Sequence, residues 1–163
     1  MKKLILFAIA MIAVAGCANA QSGRRYTDVA LPDTGGKTVT LSSTVANPAN
    51  KYVLLDFWAT WCGPCMGEVP YLVETYGKYH DKGFEIYGVS LDSNADAWRA
   101  AIKNKGMKWV HVIQTRDGDM AAVNAYGVRT IPTNFLIDAS TGQIVAVNLR
   151  GEALGAKIAE LLD

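Results

Sequence analysis

Continuous apolar runs alternate along this chain with segments in which apolar residues recur every three or four positions. The run KYVLLDFW (51–58) is apolar on both sides of a would-be pleat, as expected of a strand buried in the middle of a sheet. Met66, Val69, Leu72, Val73 and Tyr76 then recur at helical spacing and predict a helix over 63–79. Pro64 suits its first turn, Pro70 predicts a kink inside it, and Gly83 marks the exit. FEIYGVSLD (84–92) is a second buried strand. An amphipathic helix over 94–105 follows, with Ala97, Ala101 and Ile102 inward and Gly106 as its stop, and WVHVIQ (109–114) is a third strand. A short helix over 118–126 ends at Gly127. TNFLID (133–138) and 143–149 form a hairpin around Ala139-Ser140-Thr141-Gly142, and a helix over 152–162 closes the chain. Upstream, TDVALPDTGGKTVTLSS alternates on either side of Asp33-Thr34-Gly35-Gly36, the pattern of an N-terminal β-hairpin. The predicted class is α/β, with a central mixed β-sheet flanked by helices.

The first twenty residues differ from the rest. Lys2 and Lys3 precede an uninterrupted apolar run of 12 residues, 4–15, too short to cross a bilayer as a helix but the right length for a signal-peptide core. Two cuts fit. Val14-Ala15-Gly16-Cys17 resembles a bacterial lipobox, which would make Cys17 a lipidated N-terminus, and Ala18-Asn19-Ala20 fits ordinary cleavage after Ala20. The lipobox is the preferred reading, because it explains a cysteine placed directly after the apolar run. The expected organisation is a signal peptide over 1–20, a polar tether over 21–26 and one folded domain over 27–163. The expected location is the cell envelope, on a lipid anchor or in soluble form.

Composition narrows the function classes. The formal net charge is +1, and losing Lys2 and Lys3 leaves 14 basic residues against 15 acidic, which gives no electrostatic basis for nucleic-acid binding. Half the residues are hydrophobic, which excludes a disordered chain. Of three cysteines, Cys62 and Cys65 alone belong to the folded part after either cut, so a framework of several disulfides is excluded. His80 and His111 stand at no ligand spacing to that pair, and a tetrahedral zinc would be underfilled, so no metal is expected. Both histidines are read as ordinary surface or edge residues.

Chemistry concentrates in DFWATWCGPCMGEVP (56–70). Cys62 falls where a strand hands over to a helix, facing unpaired N–H groups and the positive end of the helix dipole, both of which stabilise a thiolate. Cys65, about one turn on, brings its sulfur within disulfide range, with Gly63 and Pro64 letting the loop tighten between them. Such a pair can be attacked at one sulfur through a mixed disulfide and freed by the other. An inert disulfide closing so small a loop would add little stability. A peroxidatic cysteine would need Pro-x-x-x-Thr/Ser-x-x-Cys, but Leu55 and Ala59 occupy those places.

DFWATWCGPC followed by YGVRTIPTNFLID resembles the thioredoxin superfamily over most of the chain. The N-terminal hairpin, the Glu68-Val69-Pro70 ending of the motif and the added helix and strand over 94–114 resemble its TlpA/ResA-type branch of exported thiol–disulfide oxidoreductases. The resemblance implies a thioredoxin fold with an N-terminal β-hairpin and a helix-plus-strand insertion. It implies an exposed nucleophile at Cys62, a buried resolving thiol at Cys65, and no cofactor beyond the Cys62–Cys65 couple. Asp56 matches the buried acid of thioredoxins. An ionised carboxylate there is costly, so its pKa is expected to rise toward neutrality, as suits a proton acceptor for Cys65. A sheet-edge Asp making a turn contact is the alternative. Glu68 matches the acid three positions after the second cysteine, although the dipole favours a Glu early in a helix in any case. Many relatives carry Asn at the strand position, so two acids compete for one role here. Pro132 matches the cis-proline facing the disulfide, leaving the Ile131 backbone to pair with an extended client segment. Trp61, Gly63, Pro64, Ile131 and Pro132 would form the client-facing surface, while Trp58 fits either that surface or the core.

The dipeptide Gly63-Pro64 is that of the reducing thioredoxins, which points to reduction outside the cytoplasm. The partners so implied are disulfide-containing envelope proteins, for example apocytochrome c awaiting haem, and a membrane thiol-reductant donor. A non-catalytic envelope binding lipoprotein and a thiol peroxidase-type enzyme are the competing classes.

Overall fold

The computed structural model describes residues 23–115 and 120–163. The leader, both cleavage sites and Cys17 lie outside them. Among the described residues, seven strands and five α-helices run in the order β1 (Ala30–Pro32), β2 (Thr38–Thr40), α1 (Leu41–Val45), β3 (Tyr52–Trp58), α2 (Gly63–Tyr79), β4 (Phe84–Ser90), α3 (Ala95–Asn104), β5 (Val110–Ile113), α4 (Ala121–Tyr126), β6 (Thr133–Asp138), β7 (Gln143–Val147) and α5 (Gly151–Leu162). The main sheet has the order β5-β4-β3-β6-β7, and β1 and β2 form a separate hairpin. β3 pairs in parallel with β4, and β4 with β5, as strands joined by helical crossovers do. β6 runs antiparallel to both β3 and β7. This is the thioredoxin-type mixed sheet that the sequence predicts.

β3 sits centrally, and every residue from Val53 to Trp58 is buried, which is why its sequence reads as one apolar run. α2 buries Cys65, Val69, Leu72, Thr75, Tyr76 and Tyr79 and packs against α5. It continues through Pro70, whose ring nitrogen removes the bond otherwise made to the Met66 carbonyl. After a short 3₁₀ turn, Gly83 adopts φ 111°, a left-handed conformation that glycine takes at little cost, and redirects the chain into β4. No helix among the described residues is long and apolar enough to cross a membrane.

Four details depart from the expectations. Residues 41–45, read as the end of the hairpin, form helix α1, capped by the Thr40 hydroxyl, which accepts from the Ser43 N–H. The inward face of α3 is carried by fully buried Trp98 rather than Ala97, which is exposed. Of the stretch read as a tether, residues 23–26 lie along β7: the Tyr26 N–H donates to the Gly142 carbonyl at 2.9 Å and the Ile144 N–H to the Arg24 carbonyl at 2.8 Å. With Asp33 bridging to Val112 at the other margin, both edges of the sheet are partly covered. His111 does lie on an edge strand, but it is not on the surface. It retains 5% of its accessible area between the rings of Trp58 and Trp109, and burial pushes its pKa down to about 4, the Met107 backbone acting more weakly the other way.

Candidate active site

The switch from β3 to α2 places the two cysteines. Cys62 is the N-cap of α2, with extended φ/ψ of −88° and 99°, and Pro64 occupies the first turn. The Cys62 sulfur accepts from the Cys65 N–H at 3.2 Å, so one of the helix's unpaired donors is aimed at it. The two sulfurs are joined in a disulfide. Cys62 is less open than expected, retaining 6% of its accessible area against 3% for Cys65. Seated in the cap and bonded to Cys65, it remains the more exposed of the two residues. The loop before it is fixed from below: the Thr60 N–H donates to Asp92 carboxylate oxygens at 3.1 and 3.2 Å, and the Ser90 hydroxyl donates to the same carboxylate at 2.7 Å.

Of the residues expected to face a client, Trp61 and Ile131 share one groove. Trp61 is 59% exposed, the most open large apolar side chain among the described residues, whereas Trp58 is core. Trp61 and Ile131 line a groove of about 420 Å³ with Leu91, Val123 and Val128. The Ile131-Pro132 peptide bond is cis. Gly63 has open space where a side chain would stand, so an approaching backbone meets no obstruction there.

Charges from β3, α2 and the start of α5 act on one another. Asp56 pairs across the sheet with Gly88 on one side and Asn134 on the other, and it is 5% exposed. Its pKa is raised to about 7, chiefly by burial. The negative charge of Glu68 pushes the same way, while Arg150 and the Asn134 amide favour the ionised form. The sheet-edge alternative for Asp56 therefore fails, since its strand has neighbours on both sides. Glu68 reaches across to α5, where its Oε2 accepts from the Gly151 N–H at 2.7 Å and caps that helix. It thus serves the dipole of a different helix from the one its sequence position suggests.

Two residues were not singled out in the sequence. Asp92 anchors the loop carrying Trp61 and Cys62. Arg150 donates from Nη1 to the Leu149 carbonyl at 2.8 Å and from Nη2 to the Pro132 carbonyl. The buried polar strand ending SLD was a signal for the first; nothing in NLRGE marks the second. No group of three or more His, Cys, Asp or Glu among the described residues could hold a metal ion.

Known proteins are similar to this chain in sequence and in fold. The AhpC/TSA family model matches residues 22–147. The thiol-disulfide oxidoreductase ResA of Bacillus thuringiensis is 35% identical over 125 residues, covering 77% of this chain and 68% of that protein. The thioredoxin domain of a thiol-disulfide oxidoreductase from Bacteroides vulgatus superposes with a TM-score of 0.78 at 34% identity, covering 87% of this chain and 98% of that one. A thiol:disulfide interchange protein from Bacteroides sp. does so with a TM-score of 0.77 at 34% identity, covering 86% and 90%. A sulfur capping a helix, a second sulfur one turn on, and these likenesses over most of the chain place the protein in the AhpC/TSA family, as a thioredoxin-fold thiol–disulfide oxidoreductase of the ResA type.

Proposed function

We propose that this oxidoreductase works in the cell envelope as a reductant of client disulfides. The observation that carries the chemistry is the Cys62 sulfur at the mouth of α2, accepting the Cys65 N–H at 3.2 Å. A thiolate formed there is stabilised by the helix dipole and attacks a client disulfide; Cys65 then displaces the client from Cys62. The client lies extended in the groove beside Trp61 and pairs with the Ile131 backbone, touching the protein at Gly63, Pro64 and Pro132. Asp56, whose pKa of about 7 balances it between forms, accepts the Cys65 proton, and Glu68 tunes it from α2. The couple needs no cofactor of its own, and a membrane thiol reductant returns it to the dithiol.

The reducing direction rests on Gly63-Pro64. The reduction potential of the Cys62–Cys65 couple, measured against glutathione, is expected near that of thioredoxin, about −270 mV. A value as oxidising as about −120 mV, that of the strong oxidant DsbA, would reverse the direction. Clients whose thiols must stay free, such as apocytochrome c before haem attachment, fit a reductant in this compartment. Export and anchoring rest on 4–15 and Cys17. Mass spectrometry of the mature N-terminus is expected to show a diacylated Cys17, and a peptide beginning at Gln21 would rule out the anchor.

A further inference from the structure

Arg150 precedes α5 at its N-cap position, yet its side chain turns back into the site. The half-buried guanidinium spends one nitrogen on the Leu149 carbonyl and another on the Pro132 carbonyl, with Asn148 Oδ1 3.5 Å away. It forms no ion pair within 4.0 Å with a carboxylate of this site. Its positive charge is nonetheless close enough to act on Asp56, opposing Glu68, which approaches from α2. The remaining neighbours of Asp56 across the sheet are uncharged: Asn134 on β6 and the side-chain-free Gly88 on β4. Arg150 is therefore a cation that acts on the buried Asp56 while holding the Pro132 carbonyl, part of the backbone that a client would meet.

We propose that Arg150 is a positioning residue for the resolving step: its guanidinium clamps the Pro132 carbonyl on one side and on the other supplies Asp56 with a positive charge that offsets Glu68. This rests on the reading of Asp56 as proton acceptor. In that step the Cys65 thiol gives its proton to the Asp56 carboxylate, and the resulting thiolate attacks the Cys62 sulfur. The bond from Cys62 to the client sulfur breaks, and the client leaves as a thiolate with the electron pair. The protein ends oxidised by two electrons and the client reduced. The carboxylate must be ionised to take the proton, and a nearby cation favours that form. Without it, resolution requires a higher pH. A lysine keeps the charge but not the planar fork that reaches two carbonyls at once.

The experiment mixes reduced protein with a disulfide-bonded peptide and follows release of the peptide's second thiol from pH 5 to 9. R150Q is expected to move the midpoint of the resolving rate up by about one pH unit, slowing resolution roughly tenfold below it. R150K is expected to keep the midpoint and raise the KM for the peptide. An unmoved midpoint in R150Q, or an equal displacement in R150K, overturns the proposal. D56N separates the two levels. If it leaves resolution at full rate, the reading of Asp56 fails; if it slows resolution while R150Q leaves the midpoint in place, only the role of Arg150 fails. Should R150Q not fold, carbon-13 NMR of the Asp56 carboxyl in R150K decides the matter: an unchanged titration supports the proposal, and a rise of one pH unit or more overturns it.

Discussion

Replacing Cys65 with serine will stop turnover and leave the protein covalently joined to its client. In the disulfide the two cysteines have Cα atoms 5.2 Å apart, with Cys65 on the first turn of α2 and Cys62 capping it. Attack by Cys65 on a mixed disulfide at Cys62 is therefore intramolecular, and well-placed intramolecular groups act as if present at about 10⁵ M or more. A millimolar external thiol cannot replace that, so multiple turnover will fall by more than about 1,000-fold. The serine hydroxyl is not ionised at neutral pH and cannot attack in its place. Cys62 keeps its helix N-terminus in this variant, so the first step survives. Intact-mass measurement after mixing Cys65→Ser with a disulfide-bonded peptide will show the protein plus one peptide strand, and Cys62→Ser will show no adduct. Turnover that persists in Cys65→Ser would mean that the client leaves by another route.

How much of this could be read in advance depended on how local each feature is. β3 and α2 were legible because a central strand is apolar on both faces and the helix carries its own periodicity, cap and first-turn proline. Asp56 stood out because a carboxylate in such a run is costly, and Cys62 because a strand-to-helix switch fixes what faces it. The rest depended on contacts between distant parts of the chain. Glu68 lies 83 residues from the Gly151 N–H that it accepts, and Asp92 lies 32 residues from Thr60, so neither pairing leaves a mark in its own segment. Arg150 looks like a solvated turn residue until the 130–132 loop is folded against it. His111 looks like a surface residue because the rings that bury it, Trp58 and Trp109, are joined only when β3, β4 and β5 align. In α3 the alanine spacing pointed to the wrong face. A small side chain says little about burial, and a single Trp98 outweighs several alanines in apolar area.

Asp56→Asn will make the protein more stable at pH 8 and slower at resolution, two effects of one group. An unfolded carboxyl ionises near 3.8, whereas this one holds its proton to about pH 7. Between those values the folded state binds more protons than the unfolded state, so stability falls as the pH rises through the window and stays low above it. At about 1.4 kcal/mol per pH unit, the span from 3.8 to about 7 corresponds to about 4 kcal/mol lost to keeping the carboxylate ionised. The asparagine side chain has no charge to bury, so the variant will gain up to about 4 kcal/mol at pH 8, roughly 2 M in urea midpoint for a slope of about 2 kcal/mol/M. At pH 3.5 the wild-type carboxyl is protonated in the folded state and mostly protonated in the unfolded state, so the gain will shrink to about a few tenths of a kcal/mol. Urea titrations of the oxidised forms at the two pH values measure both limits. A gain of equal size at pH 3.5 would trace the effect to packing rather than to charge, and no gain at pH 8 would show that the carboxylate is well solvated in the folded protein. The slower resolution follows from the same ionisation in the proposed mechanism, where the form that destabilises the fold is the form that accepts the proton of Cys65. On that proposal the site holds its base in a costly state near neutral pH, and the asparagine variant gives up proton transfer for stability.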